Sequence, residues 1–160
     1  MKKIVFILLA VTLFVGCKSK KVNEPAAPEV AKIVAIPAAE INRNQQNKAY
    51  DLGSRVLLTC NTSKFKAFDA TEVTKEVMDN TTIERISKTC SKFRQWYGTF
   101  IDLKLDGVYK INGETVYRFR ALYTKKVANK ELRVTVNENN LVSGIKSLDW
   151  DNSFESKLNK

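Results

Sequence analysis

Three cysteines, a handful of aspartates near tyrosines and the complete absence of histidine set the range of chemistry open to this chain. Without an imidazole, Ser-His-Asp and Cys-His catalysis and His-containing zinc sites are excluded. Cys60 and Cys90 belong to no CxxC motif, so no redox pair, metal site or cofactor site is expected from them. They read either as a disulfide or as two small buried apolar side chains. Asp102, Asp106 and Asp149 are the carboxylates that could serve as a general base, with Tyr109, Tyr117 and Tyr123 as hydrogen-bond donors. Asp102 and Asp106 alternate with Leu103 and Leu105, however, and are predicted to face solvent, where a carboxylate stays a weak base. Trp96, Tyr117, Phe119, Tyr123 and Trp150 are the aromatic candidates for lining a pocket between helices and sheet, with core packing as the alternative.

Cys17 has different surroundings. Lys2 and Lys3 precede an apolar run over residues 4–15 that only Thr12 interrupts, and Gly16-Cys17-Lys18 ends it. The run is too short to span a bilayer, which takes about 20 residues, and has the order of a secretory signal. Gly16-Cys17 resembles the lipobox of bacterial lipoproteins. The resemblance implies cleavage before Cys17, a diacylglyceryl group on its thiol, and acylation of the freed amine with a chain such as palmitate. The mature protein would then be held on a membrane of the bacterial cell envelope, facing outward from the cytoplasm. Each buried methylene contributes about 0.8 kcal/mol, so two or more chains anchor stably where one is marginal.

The elements that would position these residues begin after a tether. All three prolines, Pro25, Pro28 and Pro37, fall in residues 17–40, a Pro-, Ala- and Lys-rich stretch that cannot bury enough surface to fold alone. Its apolar patch at residues 33–36 is the exception: within a stretch read as a tether, it could pair with a sheet edge or cover part of the domain. In residues 41–150, Ala49, Leu52, Gly53, Val56 and Cys60 share one helical face behind an Asn42/Gln45 cap. A short second helix is predicted from Asp69, with Glu72 completing a capping box. A third is predicted from Thr81, with Glu84 completing its box and Ile83, Ile86, Cys90, Phe93 and Tyr97 as its stripe. Gly98 suits the end of that helix.

From Thr99 the period switches to two, giving four predicted strands joined at Asn112-Gly113 and Asn139-Asn140. An odd residue in the first hairpin, from a three-residue loop or a bulge near Gly107, would align Leu103, Leu105 and Tyr109 with Tyr117, Phe119, Ala121 and Tyr123. Residues 151–160 read as a polar tail. The expectation is therefore an α+β domain, its helices packed on a curved four-stranded antiparallel sheet.

With "FRQWYGTF" closing the third helix and the strands "TVYRFRALY" and "KELRVTVNENNLVSGIKSLDW" following, the chain resembles the cystatin-like cone of the nuclear transport factor two-like superfamily. Within it, the likeness is to small bacterial envelope domains of unknown function. The resemblance implies a fold, sometimes with an apolar pocket, and no fixed chemistry, although related folds host isomerases and lyases that pair an acid with Tyr or His.

The 160 residues are 44% hydrophobic and 28% charged, as in a globular domain, and carry a net charge of +10. Arg85, Lys88 and Lys92 share a helix face, Arg118 and Arg120 lie on one strand, and Lys125, Lys126 and Lys130 surround a turn. Such runs read as solvated faces or as contacts for phosphorylated headgroups and other envelope polymers. Nucleic acid would suit this charge in the cytoplasm, but export removes it, and none is expected as a partner. The chain is expected to be a lipid-anchored envelope protein that binds an anionic envelope component or a small apolar ligand without catalysis. A pocket enzyme of lyase or isomerase type and an inhibitory or protective module are the alternatives. A deep cavity with an inward carboxylate marks the enzyme, whereas a packed interior with an exposed apolar or basic patch marks binding.

Overall fold

Alternation of apolar and polar residues after Thr99 produces a meander of antiparallel strands in the computed structural model, which describes residues 32–127 and 129–154. The signal segment expected at 1–16, the expected lipidation site Cys17, the expected tether up to residue 31 and the expected tail from residue 155 lie outside the described residues. Strands β2 (Phe100–Ile111), β3 (Glu114–Tyr123), β4 (Lys130–Val136) and β5 (Val142–Asp149) pair in chain order. The sheet has five strands, which corrects the expectation of four: β1 (Ile33–Ala35), from the stretch read as tether, pairs with the end of β2. Ile33 stands opposite Ile111 and Ala35 opposite Tyr109, and the Ile36 N–H donates to the Val108 carbonyl at 2.8 Å. The pairing is open because β2 is 12 residues long and its far end would otherwise leave backbone groups unpaired at the sheet edge.

Asn112 (φ 49°) and Gly113 (φ 88°) form a strict two-residue turn, so Ile111 faces Glu114. The odd residue is taken up by a bulge between Leu105 and Gly107. Before it, Leu103 faces Ala121 and Leu105 faces Phe119. After it, Val108 faces Tyr117 and Tyr109 faces Val116. The expected place of Tyr109 in the inner row is thus corrected: the bulge reverses the side-chain phase, Val108 enters the core, and Tyr109 turns to the opposite face.

Helix α1 (Arg43–Thr62) starts at Asn42, whose side chain accepts from the N–H groups of Asn44 and Gln45. It lays Ala49, Leu52, Gly53 and Leu57 on the sheet. Gly53 permits close approach: a Cβ there would stand 2.7 Å from Leu132 Cδ2 and 3.1 Å from Val134 Cγ2.

The second helix, α2 (Lys75–Asn80), begins six residues later than predicted. Asp69 and Glu72 do form a local turn, with the Asp69 N–H donating to the Glu72 carboxylate at 3.2 Å. Val73 then bridges Val142 at the edge of β5, where the Thr74 N–H donates to the Val142 carbonyl and the Val142 N–H to that of Glu72. Those sheet bonds hold the segment extended, so the helix waits for Thr74 as its cap. Helix α3 (Ile83–Tyr97) is capped by Thr82, one residue beyond the predicted Thr81, and closes at Gly98 (φ 80°). No helix among the described residues is long and apolar enough to cross a membrane.

Candidate functional site

Cys60 on α1 and Cys90 on α3 form a disulfide, with Cα atoms 4.8 Å apart. The bond closes a 30-residue loop, worth roughly 3 to 4 kcal/mol in the chain-entropy account. Around it lies an open cleft of about 400 Å³ lined by Thr59, Cys60, Ser63, Ser87, Cys90, Ser91 and Arg94. Its polar rim offers hydroxyls and one guanidinium, but no base to activate a nucleophile.

The five aromatic candidates are not brought together. Tyr117 and Phe119 are each 1% exposed within the core, where Tyr50 meets Phe119 edge to face. Tyr123 packs against Phe100 and Tyr97, and burial pushes its phenol up to about 12, with Tyr97 adding to the shift. Burial likewise raises the Tyr117 phenol. Trp96 is 51% exposed on the outer side of α3. Trp150 lies on the opposite face of the sheet, its ring 4.1 Å from the guanidinium carbons of both Arg118 and Arg120. Of the two readings, core packing holds for Tyr117, Phe119 and Tyr123, whereas Trp96 and Trp150 join neither that core nor a shared lining. Side-chain parity on β3 decides it, sending Tyr117, Phe119 and Tyr123 to one face and Arg118 and Arg120 to the other.

The three candidate carboxylates are also dispersed. Asp102 is half-buried, against the prediction that it faces solvent, because a bulge between Phe100 and Asp102 leaves Ile101 outermost instead. It accepts from Tyr50 Oη at 2.5 Å and from the Leu103 N–H at 2.8 Å. That hydrogen bond is the chief reason the Tyr50 phenol sits above its ordinary value. Asp106 pairs with Arg118 at 3.1 Å on the outer sheet face, and Asp149 with Lys130 at 2.7 Å near α3. Lys130, read as part of an exposed lysine cluster, is instead buried against Phe93 and Tyr97, with Nζ 5.4 Å from each ring centroid. Among the described residues no group of three His, Cys, Asp or Glu side chains could hold a metal ion.

The densest constellation of charge lies where the sequence reading placed solvated arginines. Arg118 is 2% exposed and Glu131 fully buried. Glu131 Oε2 accepts from Arg118 Nε at 2.9 Å and Nη2 at 2.7 Å, while Oε1 accepts from Arg133 Nε. Burial alone would lower the Arg118 guanidinium, yet hydrogen bonding and charge from Glu131, aided by Asp106, hold it above its ordinary value. Residues 150–154 cover the group. Trp150 caps Arg118, Phe154 lies 4.4 Å from Arg133 and stacks on Tyr109 at 3.7 Å, and the Asp151 carbonyl accepts from Arg118 Nη2. The start of the stretch read as a polar tail thus packs on the sheet. Its signal in sequence was Phe154, an aromatic residue just beyond the last strand. As built, the cluster is satisfied internally and offers no open seat for an anion.

Two smaller clefts lie elsewhere. One of about 330 Å³ runs along α1 beside the Arg55–Glu72 pair, in which two hydrogen bonds of 2.8 and 2.7 Å hold the Glu72 carboxyl below its usual range. Another, of about 220 Å³, lies between α2 and β5. None of the five aromatic candidates lines either cleft or the cleft at the disulfide. Exposed charge concentrates on α3, where Arg85, Lys88, Lys92 and Arg94 all face solvent. Comparison with known protein families, with curated proteins and with solved structures finds no match.

Proposed function

We propose that this chain is a lipid-anchored protein of the bacterial cell envelope, whose α+β domain is a non-catalytic binding module with the build of a cystatin-like cone. The address rests on Gly16-Cys17 at the end of an apolar run with Lys2 and Lys3 before it. The cone is supported by the order of elements, in which one short strand and a long helix precede a meander that pairs in chain order.

The observation that carries binding over catalysis is the packing beneath α1. Tyr117, Phe119, Leu132 and Val134 fill the space in which an isomerase-like fold would open its pocket. Asp102, Asp106 and Asp149 each serve a different neighbour, Asp102 being engaged by the Tyr50 hydroxyl itself, so these three carboxylates do not converge on a common substrate position. Metabolic labelling with palmitate tests the address. Wild type incorporates label and sediments with membranes, and Cys17→Ala does neither. A Cys17→Ala product that is still labelled and still membrane-bound contradicts it.

A further inference from the structure

Building on that lipid-anchored reading, we propose that the outward face of α3, together with the adjoining loop at residues 125–127, is a bilayer-contact surface that recognises anionic phospholipid headgroups. Lys88, Lys92 and Trp96 recur at i, i+4 and i+8, so they form one stripe, which Arg85 extends by a turn towards the helix start. All four are exposed, and Glu84 is the one acid in the helix. Lys92 Nζ stands 4.5 Å from the centre of the Trp96 ring, joining cation and aromatic in one unit.

The loop is fixed to the same end of the helix. The Lys125 N–H donates to the Tyr97 carbonyl at 3.1 Å, and Lys125 Nζ to that of Gln95 at 2.6 Å. The Thr124 N–H donates to the Thr99 carbonyl at 2.9 Å, and Thr124 Oγ1 accepts from the Thr99 N–H at 3.0 Å. These bonds fix Thr124 and Lys125 to the end of α3 that carries Trp96, and Lys126 and the 78% exposed Val127 follow within two residues.

A face that served only solubility would have no use for an exposed tryptophan and an exposed valine flanked by lysines. Indole favours the headgroup level of a bilayer, and lysines around it pair with lipid phosphate. Charge complementarity selects the occupant: an anionic leaflet matches both the basic stripe and its apolar end. The chain can reach. The residues between Cys17 and Lys32 span at most about 50 Å when extended, whereas β2, which separates the β1 end of the sheet from the Trp96 end, is roughly 36 Å long.

The test is tryptophan quenching of the purified full chain on vesicles of phosphatidylglycerol and phosphatidylethanolamine carrying a headgroup nitroxide. Phosphatidylcholine vesicles with the same label serve as the comparison. Quenching should be at least about threefold greater on the anionic vesicles and should fall away in roughly 0.5 M salt. Trp96→Phe should abolish it, leaving Trp150 as an unquenched emitter, and Lys88→Glu with Lys92→Glu should reduce the quenching on anionic vesicles by about threefold or more, to the phosphatidylcholine level, without altering the melting curve. A chain that floats with the vesicles while Trp96 stays unquenched, or is quenched equally on both lipids, overturns the surface and leaves the anchor intact. A chain with unmodified Cys17 that is still quenched through Trp96 on anionic vesicles upholds the surface and removes the anchor. Preference for DNA over anionic vesicles in competition also overturns the proposal.

Discussion

Cys60 and Cys90 tie α3 to α1, and α3 depends on that bond more than on its own burial, since Ile86 is its one buried residue. The double variant Cys60→Ser/Cys90→Ser should lose roughly 3 kcal/mol of stability. Urea denaturation measures this, and the wild type with reductant should match the variant. An unchanged midpoint would show that the stripe of Phe93 and Tyr97 holds the helix unaided.

The Arg118–Glu131 pair predicts a different behaviour. Glu131→Leu takes the shared carboxylate from two buried guanidiniums, leaving Arg118 with only the more exposed Asp106, and should cost about 3 to 5 kcal/mol. The combined Arg118→Met/Glu131→Leu variant removes one of the stranded charges and should recover part of that loss, so a double-mutant cycle in denaturant reads the coupling directly. Strict additivity would mean that the two side chains act independently.

Two limbs of the stability-versus-pH curve follow from the perturbed groups. Glu72 has a folded pKa held below its ordinary value by Arg55. Its contribution is therefore present above the ordinary glutamate value of about 4.3 and is lost as pH falls through the depressed one. Glu72→Gln should flatten the acid limb below about pH 4. Tyr123 is shifted the other way, from 10.0 to about 12, so its contribution is complete below 10 and is lost as pH rises towards 12. Tyr123→Phe should delay alkaline unfolding, as followed by circular dichroism across that window. An alkaline limb that the substitution leaves in place would assign it to Tyr50 or Tyr117 instead.

Gly53 sets two effects against each other. Alanine gains about 1 kcal/mol in helix propensity, but its Cβ meets Leu132 and Val134 inside ordinary contact distance, and overpacking costs roughly 1 to 3 kcal/mol. Because Leu132 is itself buried and has little room to shift, Gly53→Ala should destabilise on balance. A raised melting temperature would show that α1 can lift off the sheet at little cost.

Much of the scaffold was legible because hydrophobic periodicity is local. The meander and the α1 stripe follow from spacing alone, and the odd residue near Gly107 from matching one apolar row to another. What the sequence leaves open, or does not show, depends on partners distant in sequence. Three residues at 33–35 become a strand only because β2 runs far enough to receive them, and Val73 delays α2 only because Val142 bonds to it. The burial of Arg118 needs Glu131 across the sheet and Trp150 above it, and no window of sequence shows that cover. Trp150 was misplaced for a related reason: it follows the last residue of β5 and turns back over the arginines instead of joining the core. The α3 surface was half legible. Its lysine stripe is periodic, but its link to Val127 rests on hydrogen bonds between the ends of α3 and β3.

The claim on which the functional account stands is most directly tested by the intact mass of the chain purified from bacterial membranes in detergent. The account predicts a polypeptide that begins at Cys17 and carries a diacylglyceryl adduct with further acyl mass at its amine, partitioning into the detergent phase. A product that retains residues 1–16, or that begins elsewhere with Cys17 unmodified and stays in the aqueous phase, would contradict it.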